Sequence, residues 1–330
     1  MSSLKWIMRD FWRSVIYLVL AGFFWAFPPA LGKIAVAEVS PPFITTFRLL
    51  VATLIFLPFL FKKGNVERLK KLDKKTVAWL VLSGGVFFGP HYVFYFFSLQ
   101  TTPAVHVSIL LQTGYVFSAI LCIKFLKEAW DRYTILGFAL SIAGVVTIML
   151  AYPEQGGTTT YTVEGILLGD VLILVSMLLW AMYSVINKKN LEKVGEVPSI
   201  VFNFLFGALT VLPLGLDGFA KLPTLDPVVI LVLCLIALFG SALGYLFYNL
   251  GLKKVDGARA NLILLTNPVF SVVISVVLVA GEPITLLFIV GSILVISSLY
   301  FVNKEKKKEP AKSIQDEALN APSAKPENTA

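Results

Sequence analysis

The chain has few residues of the types that build catalytic or metal centres. It contains two cysteines and two histidines in 330 residues. Cys122 and Cys234 lie in separate apolar blocks without a neighbouring cysteine or histidine, which provides neither a disulfide framework nor a set of metal ligands. We therefore expect both to be small apolar core residues, and no cofactor is expected.

Motifs of enzymes and of ATP-driven pumps are also missing from the sequence. There is no Walker motif and no HExxH, and the apolar blocks hold no Ser-His-Asp set and no paired aspartates. An intramembrane enzyme remains the alternative from another functional class, and these absences disfavour it. A short drug-resistance helper is disfavoured too, because such proteins have four helices and a glutamate in mid-membrane.

Charge is scarce: 15% of the residues are charged and 57% are apolar, whereas about a quarter of the residues in soluble domains are charged. The apolar residues fall into blocks of roughly 20, the length that a helix needs to cross about 30 Å of hydrocarbon. A large soluble core would instead give amphipathic stripes. The sequence predicts an all-α integral membrane protein with lipid as its neighbour.

Proline, glycine and charged residues separate ten such blocks, as expected where helices begin and end. We predict an N-terminal segment 1–14, a first five-helix repeat 15–151, a linker 152–164, a second five-helix repeat 165–303 and a disordered tail 304–330. The predicted helices cover about 15–37, 42–61, 76–99, 104–125, 133–151, 165–187, 198–217, 227–250, 258–280 and 284–303.

The lysines and arginines predict the orientation. With the N-terminus in the cytoplasm, all of the 28 lysines and arginines except Lys33, Arg48 and Lys221 fall in cytoplasmic segments. This bias favours a multi-pass protein of the cytoplasmic membrane with both termini cytoplasmic. It also explains the net charge of +8, so no nucleic-acid partner is expected.

The two halves resemble each other. Trp25 and Lys33 precede Trp180 and Lys188 by 155 residues, and the Thr113–Phe117 segment corresponds to Thr266–Phe270 at an offset of 153. Because five helices is an odd number, the second half must insert in the opposite sense. The sequence therefore predicts two inverted repeats, an arrangement that suits alternating access.

These features resemble the EamA-type permeases of the drug/metabolite transporter superfamily, over residues 15–303. The resemblance lies in Leu20–Ala26 followed by Lys33 and Arg48, in Ser108–Leu111 followed by Leu126–Glu128, and in Asn261–Leu264 with Pro268 and Gly281–Pro283. It implies a ten-helix secondary transporter with a central cavity. Known relatives export amino acids and other metabolites, or carry nucleotide sugars and sugar phosphates.

Polar residues inside predicted spans are the candidate substrate-binding or gating residues, because each must face a partner or a wet cavity. Lys33, Arg48 and Asp170 fall in the outer third of their helices and can offset one another's charge. They form either an outer gate or anion site, or a structural ion pair with Lys33 reaching towards the interface. Asp170 is also the leading candidate to bind a coupling proton.

The remaining candidates lie deeper in their spans. His91 either binds substrate or makes an interhelical hydrogen bond, and Trp25 and Trp180 are either packing residues or cavity walls. Asn203 corresponds to Arg48 in the second half, which makes the charge of the cavity asymmetric. The other candidates for lining a cavity are Tyr95, Gln112, Tyr245 and Asn267.

The predicted function is export of a small metabolite by alternating access, with an amino acid or a related zwitterion or anion as the cargo. The alternative is an exchanger of the sugar-phosphate or nucleotide-sugar type. The expected partners are that metabolite, membrane lipid and a possible coupling proton, and the protein is expected to be a monomer or a homodimer.

Overall fold

The computed structural model describes residues 2–126, 132–150, 162–252, 264, 266–279 and 284–302. Within these ranges the chain forms helices joined by short turns, and no strand occurs in them. The predicted all-α fold is confirmed for this part of the chain. The tail 304–330 and most of the linker 152–164 lie outside the described residues.

Fifteen labelled α-helices follow one another along the described residues. They are α1 (Ser2–Trp25), α2 (Phe27–Ala35), α3 (Pro41–Leu60), α4 (Lys63–Leu69), α5 (Lys74–Val81), α6 (Gly89–Thr101), α7 (Ala104–Leu110), α8 (Thr113–Leu126), α9 (Arg132–Met149), α10 (Val163–Val194), α11 (Glu196–Lys221), α12 (Pro227–Leu235), α13 (Gly244–Leu252), α14 (Thr266–Leu278) and α15 (Leu286–Val302). Two π-helical turns, Leu82–Phe88 and Ile236–Leu243, join α5 to α6 and α12 to α13.

Six helical segments are long and apolar enough to cross a membrane. They are Trp12–Ala35, Pro41–Leu60, Lys74–Thr101, Val163–Leu191, Glu196–Thr224 and Pro227–Gly251, and the shorter apolar helices Ile135–Ile148 and Leu286–Ser298 accompany them. The protein is therefore a multi-pass membrane protein. The number of ten spans stays a prediction, because the predicted span 104–125 is divided into α7 and α8 and residues 258–263 are not described.

Several spans that were predicted as one continuous helix are interrupted in the structure. In the first span, Pro28 and Pro29 cannot donate backbone hydrogen bonds, and the chain tightens so that Ala26 N donates to Phe23 O at 3.1 Å.

The helix predicted over 165–187 is longer in the structure. It continues as α10 to Val194, and Gly195 ends it with a φ of 83°. Only glycine adopts that backbone conformation readily.

Corresponding helices of the two halves pack against each other. The second helix of each half, α3 and α11, form one such pair, and the last helices, α9 and α15, form another. In the second pair, Gly144 and Gly291 let the backbones approach so closely that a Cβ on Gly144 would lie 2.8 Å from Gly291 O. Small residues at such crossings allow close helix packing in membranes.

Helix starts carry local caps outside the apolar layer. Thr76 N donates to Asp73 Oδ1 at 3.0 Å at the start of α5. This cap, through the side chain and backbone of Thr76, holds the pKa of Asp73 below its ordinary value of 3.8. The cap fixes the point at which the chain leaves the charged loop and enters the span.

The prediction for Cys234 is wrong. Its side chain is exposed on the outer surface of α12 and therefore faces the surroundings of the helix bundle rather than its core. An apolar block does not show which of its faces packs inward, because every face of a membrane helix is apolar. The side chain of Cys122 lies outside the described residues.

Candidate functional site

A cavity of about 100 Å³ lies between the two halves. Eight of the predicted residues line it, namely Trp25, Arg48, His91, Tyr95, Gln112, Trp180, Tyr245 and Asn267. The other described lining residues are Pro28, Tyr92, Leu111, Met177 and Gly240. Residues from α1, α2, α3, α6, α10, α13 and α14, from the turn between α7 and α8 and from a π-helical turn thus meet at one place, as expected of a small-ligand site.

Arg48 is the charged residue of this cavity among the described lining residues, and it is 1% exposed. Its Nε donates to Ser241 Oγ at 3.0 Å, and its guanidinium carbon lies 4.0 Å from the centroid of the Tyr92 ring. The Nη1 atom has no hydrogen-bond partner among the residues that the structure describes. A buried guanidinium held over an aromatic face and left with a free donor is arranged to receive an anion.

Two amide side chains repair the broken helices beside the cavity. Because Ala26 N donates to Phe23, the carbonyl of Gly22 loses its helical partner, and Asn267 Nδ2 donates to it at 2.8 Å. In the same way Gln112 N donates to Ile109 O, and Gln112 Nε2 donates to the carbonyl of Ser108 at 3.1 Å. Discontinuous helices whose polar groups are satisfied in this way are a common feature of transporter binding sites.

Aromatic rings form much of the wall. Trp25 contacts Tyr245 edge to face with centroids 5.1 Å apart, and Tyr92 contacts Phe88 in the same manner at 5.1 Å. Such contacts hold large rings in fixed orientations. Of the two interpretations that the sequence left open for Trp25 and Trp180, the structure places both residues in the cavity wall.

His91 lines the cavity and also bonds to a neighbouring helix, so it meets part of each of the two alternatives that the sequence left open. The Ser176 hydroxyl donates to His91 O at 2.9 Å, and Ser176 Oγ lies 2.7 Å from His91 Nδ1. With that hydroxyl hydrogen already used, Nδ1–H is the donor to Ser176 Oγ, which assigns the tautomer. The predicted interhelical hydrogen bond is confirmed.

Three buried polar atoms of lining residues have no hydrogen-bond partner in the described structure: Arg48 Nη1, Tyr95 Oη and Gln112 Oε1. Buried polar atoms are ordinarily paired, and leaving one unpaired costs roughly 1–3 kcal/mol. Together they offer a cationic donor, a hydroxyl and a neutral acceptor. A ligand with an anionic group and a donor can satisfy all three.

Residues at the spacing of the repeat touch each other across the cavity. The hydroxyls of Tyr92 and Tyr245, 153 positions apart, lie 3.1 Å from each other. Gln112 Nε2 donates to Asn267 Oδ1 at 3.1 Å, and Asn267 is two positions beyond the counterpart of Gln112 at the offset of 153. Contacts between equivalent or nearly equivalent positions are what the predicted inverted repeats lead us to expect near the axis between the halves.

The model of the EamA-like transporter family matches this chain twice, over residues 12–150 and 167–304. The chain belongs to the EamA-like transporter family. The predicted resemblance is confirmed, and the two matches correspond to the two predicted repeats. Membership identifies a transporter rather than an enzyme.

Relatives of this EamA-like transporter carry the same general name. An uncharacterized transporter of Archaeoglobus fulgidus is 26% identical over 89% of this chain and 98% of its own length. The uncharacterized transporter YyaM of Bacillus subtilis is 27% identical over 85% of this chain and 91% of its own. A solved protein crystal structure aligns with a TM-score of 0.57 at 17% identity, over 87% of this chain and 95% of that one, which shows a shared fold.

Three predicted residues of the transporter do not line the cavity together. Lys33 donates to the carbonyls of Leu99 and Thr102 at 2.6 and 3.1 Å. Asp170 lies 3.7 Å from His106, and Arg48 belongs to the cavity. The predicted common set of Lys33, Arg48 and Asp170 is therefore wrong, because similar depth in three helices does not imply that they face one another.

Asn203 belongs to a separate hydrogen-bond network. Ser83 Oγ donates to Asn203 Oδ1 at 2.6 Å, and Asn203 Nδ2 donates to Asn187 Oδ1 at 2.8 Å. The prediction that Asn203 shapes the charge of the cavity is wrong. Its position nevertheless parallels that of Arg48, because each residue bonds to the serine of a π-helical turn in the other half, Asn203 to Ser83 and Arg48 to Ser241.

Sequence reasoning missed four residues that shape the cavity in this EamA-like transporter. Ser241 and Ser176 orient Arg48 and His91, while Met177 and Gly240 line the wall. Small polar residues and methionine are common in any span, so composition alone carried no signal for them. Gly240 lies four positions before Gly244, and such a pair of small residues is a signal for close helix approach that could have drawn attention to it.

Proposed function

We propose that this protein is a secondary transporter that carries a small carboxylate-bearing metabolite, with an amino acid as the leading class, across the cytoplasmic membrane by alternating access. The observation that carries the proposal is Arg48, a buried cation with a free Nη1 in a cavity between two repeats. Export is the direction that the family resemblance implies. The distribution of lysine and arginine supports ten spans with both termini in the cytoplasm.

The chemistry of the cavity favours one carboxylate. A carboxylate on Arg48 Nη1 neutralises the single cation of the described lining. The amine of an amino acid can then donate to Gln112 Oε1, which accepts no hydrogen bond from the described residues. Aromatic faces of Trp25 and Trp180 can receive an ammonium or an apolar side chain.

A phosphate ester is the weaker alternative. A phosphate monoester carries close to two negative charges near neutral pH, and Arg48 alone compensates one of them. The second charge would remain in a buried site, which costs several kcal/mol without a partner. A cavity of about 100 Å³ is also small for a nucleotide sugar, so a monocarboxylate fits better.

Alternating access is supported by the position of the cavity. The contact of Tyr92 with Tyr245, which are 153 positions apart, is what we expect near an axis between the halves. A site at such a place can face either side of the membrane when the two halves exchange conformations. The same ligand groups would then stay in contact with the protein in both states.

The test uses three ligands that share one side chain: phenylalanine, its methyl ester and phenethylamine. Purified protein in nanodiscs is assayed by thermal shift, and proteoliposomes are assayed by counterflow of labelled phenylalanine, alongside alanine, glutamate and a sugar phosphate. We expect the free acids to bind and the ester and amine to bind at least tenfold more weakly, because they offer Arg48 no anion.

Preference for the sugar phosphate over every amino acid would replace the amino acid with the phosphate class. Equal binding of the acid, ester and amine would overturn the role of Arg48 as an anion site. Binding of a carboxylate without counterflow would contradict the proposal that the protein transports it.

A further inference from the structure

A second buried polar cluster lies outside the cavity, where α7 meets α10. His106 and Asp170 are 1% and 0% exposed, and His106 Nδ1 lies 3.7 Å from Asp170 Oδ2. Neither ring nitrogen of His106 and neither carboxylate oxygen of Asp170 has a hydrogen-bond partner among the described residues. Four unpaired atoms in one place exceed what folding alone explains, because buried polar atoms are ordinarily satisfied.

The surroundings of the pair are short of polar partners. The ring of Phe288, on α15, stacks on His106 with centroids 5.3 Å apart and an angle of 9°. On the side of α6, the buried Thr101 hydroxyl has no partner, while Thr102 Oγ1 donates to Ile166 O at 3.0 Å. Because the described residues leave these atoms without partners, water or a bound proton can supply them.

Two charged residues of the described chain bear on the pair from neighbouring elements. Lys33, on α2, donates to the carbonyl of Thr102. Thr102 packs against Gly169, the residue before Asp170. Glu164 is exposed in the first turn of α10.

The net charge of the pair depends on one proton. With it, the pair is neutral overall, as an imidazolium that faces a carboxylate. Without it, the pair carries one negative charge, and an unpaired buried charge costs several kcal/mol. The closed packing of α7, α10 and α15 thus favours the protonated pair, and the deprotonated pair favours an arrangement that admits water.

We propose that His106 and Asp170 form a proton-binding site, separate from the cavity, whose occupancy changes with the conformation of the transporter. The proton comes from bulk water and returns to bulk water, and only an N–H or O–H bond forms or breaks. The pair lies near the start of α7 at Ala104, a helix end that water can reach when the packing opens. The coupling to transport rests on the proposed function, whereas proton binding itself does not.

The first test reads the proton directly. The chain has two histidines, so 15N-histidine NMR of the full protein in nanodiscs gives two ring signals, and His106→Gln identifies the signal of His106. We expect the His106 signal to change with pH across the range in which the protein stays folded. In Asp170→Asn its midpoint falls by about one pH unit or more, because the carboxylate no longer stabilises the imidazolium.

Asp217→Asn is the matched control, since Asp217 is an exposed aspartate on α11, and it leaves the midpoint unchanged. An unchanged midpoint in Asp170→Asn, or a His106 ring that stays in one form over that pH range, would overturn the proposal. If Asp170→Asn fails to fold, the deciding measurement is the number of protons that weakly buffered protein takes up when the pH is lowered. His106→Gln must then take up one proton fewer than wild type.

The second test separates proton coupling from transport. Proteoliposomes take up labelled phenylalanine with and without an imposed pH gradient. We expect the gradient to accelerate wild type and Asp217→Asn, and to leave Asp170→Asn and His106→Gln unaccelerated while gradient-free counterflow persists. Acceleration retained in both variants would refute the coupling. Absence of transport in wild type would refute the proposed function and leave the NMR test of the proton site intact.

Discussion

Replacing Arg48 with glutamine removes the one cation that the described residues place in the cavity wall. Glutamine keeps a polar side chain but is shorter than arginine and has neither the charge nor the reach of the guanidinium. The hydrogen bond from Arg48 Nε to Ser241 and the contact with the Tyr92 ring are lost. The substitution therefore tests the anion site with a small change in packing.

The magnitude follows from the contact that a carboxylate would make. A hydrogen bond to a charged group contributes about 1.5–3 kcal/mol, so Arg48→Gln should weaken carboxylate binding roughly 10- to 150-fold. The ligand-free protein should lose little stability, because the glutamine also relieves the desolvation of a buried charge whose Nη1 is unpaired. Its melting temperature should stay within a few degrees of wild type.

The assay is a thermal shift at a fixed phenylalanine concentration. Ligand at a hundred times its Kd stabilises wild type by about 2.7 kcal/mol, whereas a hundredfold weaker variant gains about 0.4 kcal/mol. The exposed Arg132 gives the matched control Arg132→Gln, which should behave as wild type. If Arg48→Gln retains the full shift with phenylalanine and still rejects the methyl ester, another group recognises the carboxylate and the reasoning fails.

Three further predictions rest on close contacts and on a cap. Gly240→Ala places a Cβ 2.7 Å from Pro28 Cγ and 3.0 Å from Arg48 Nη2, so carboxylate binding should fall at least severalfold; unchanged affinity in the thermal-shift assay would contradict the placement of Arg48. Gly144→Ala should destabilise the protein by about 1–3 kcal/mol through overpacking. Gly64→Ala is the control, because a Cβ there would meet nothing within 4 Å, and it should not destabilise the protein. Equal melting curves of the two variants would refute the close approach of α9 and α15. Because the pKa of Asp73 is lowered on folding, its ionised form stabilises the protein above pH 3.8, and this stabilisation is lost as pH falls through the folded pKa. Asp73→Asn, which can still cap α5, should therefore differ from wild type at neutral pH and converge with it in acid, and a constant difference across the thermal-denaturation series would show that the cap does not depend on charge.

Much of the fold was accessible from the sequence because the lipid environment limits the choices. A run of about 20 apolar residues in a membrane has to be a helix, and the repeat offset was visible in Trp25 and Trp180. The interruptions were less accessible. The prolines at 28 and 29 were a signal for a break that the predicted continuous helix 15–37 did not include. The π-helical turns depend on how α5, α6, α12 and α13 pack, which no local pattern records.

The cavity residues were predictable where a polar or charged residue lies inside an apolar span, as for Arg48, Gln112 and Asn267. The partners of charged groups were not predictable. Depth along a helix follows from sequence, but the direction of a side chain around the helix requires knowledge of its neighbours. Lys33 and Asp170 consequently looked as if they belonged with Arg48, whereas Asp170 lies beside His106, which is not among the predicted site residues.

The structure also limits which parts of the transporter can alternate between states. The break at Ala26 is built into the chain by Pro28 and Pro29, and the corresponding positions of α10 hold residues that keep their N–H donors, so this difference between the halves persists in every state. A π-helical turn occurs in each half, so an exchange of conformations between the halves would leave these turns as they are. What can change is the packing between helices, and there the side-chain hydrogen bonds of Asn203 with Ser83 hold α11 against the first half. We therefore expect the halves to rock as largely rigid bodies, with such interhelical contacts breaking and re-forming while the cavity on the axis keeps its lining.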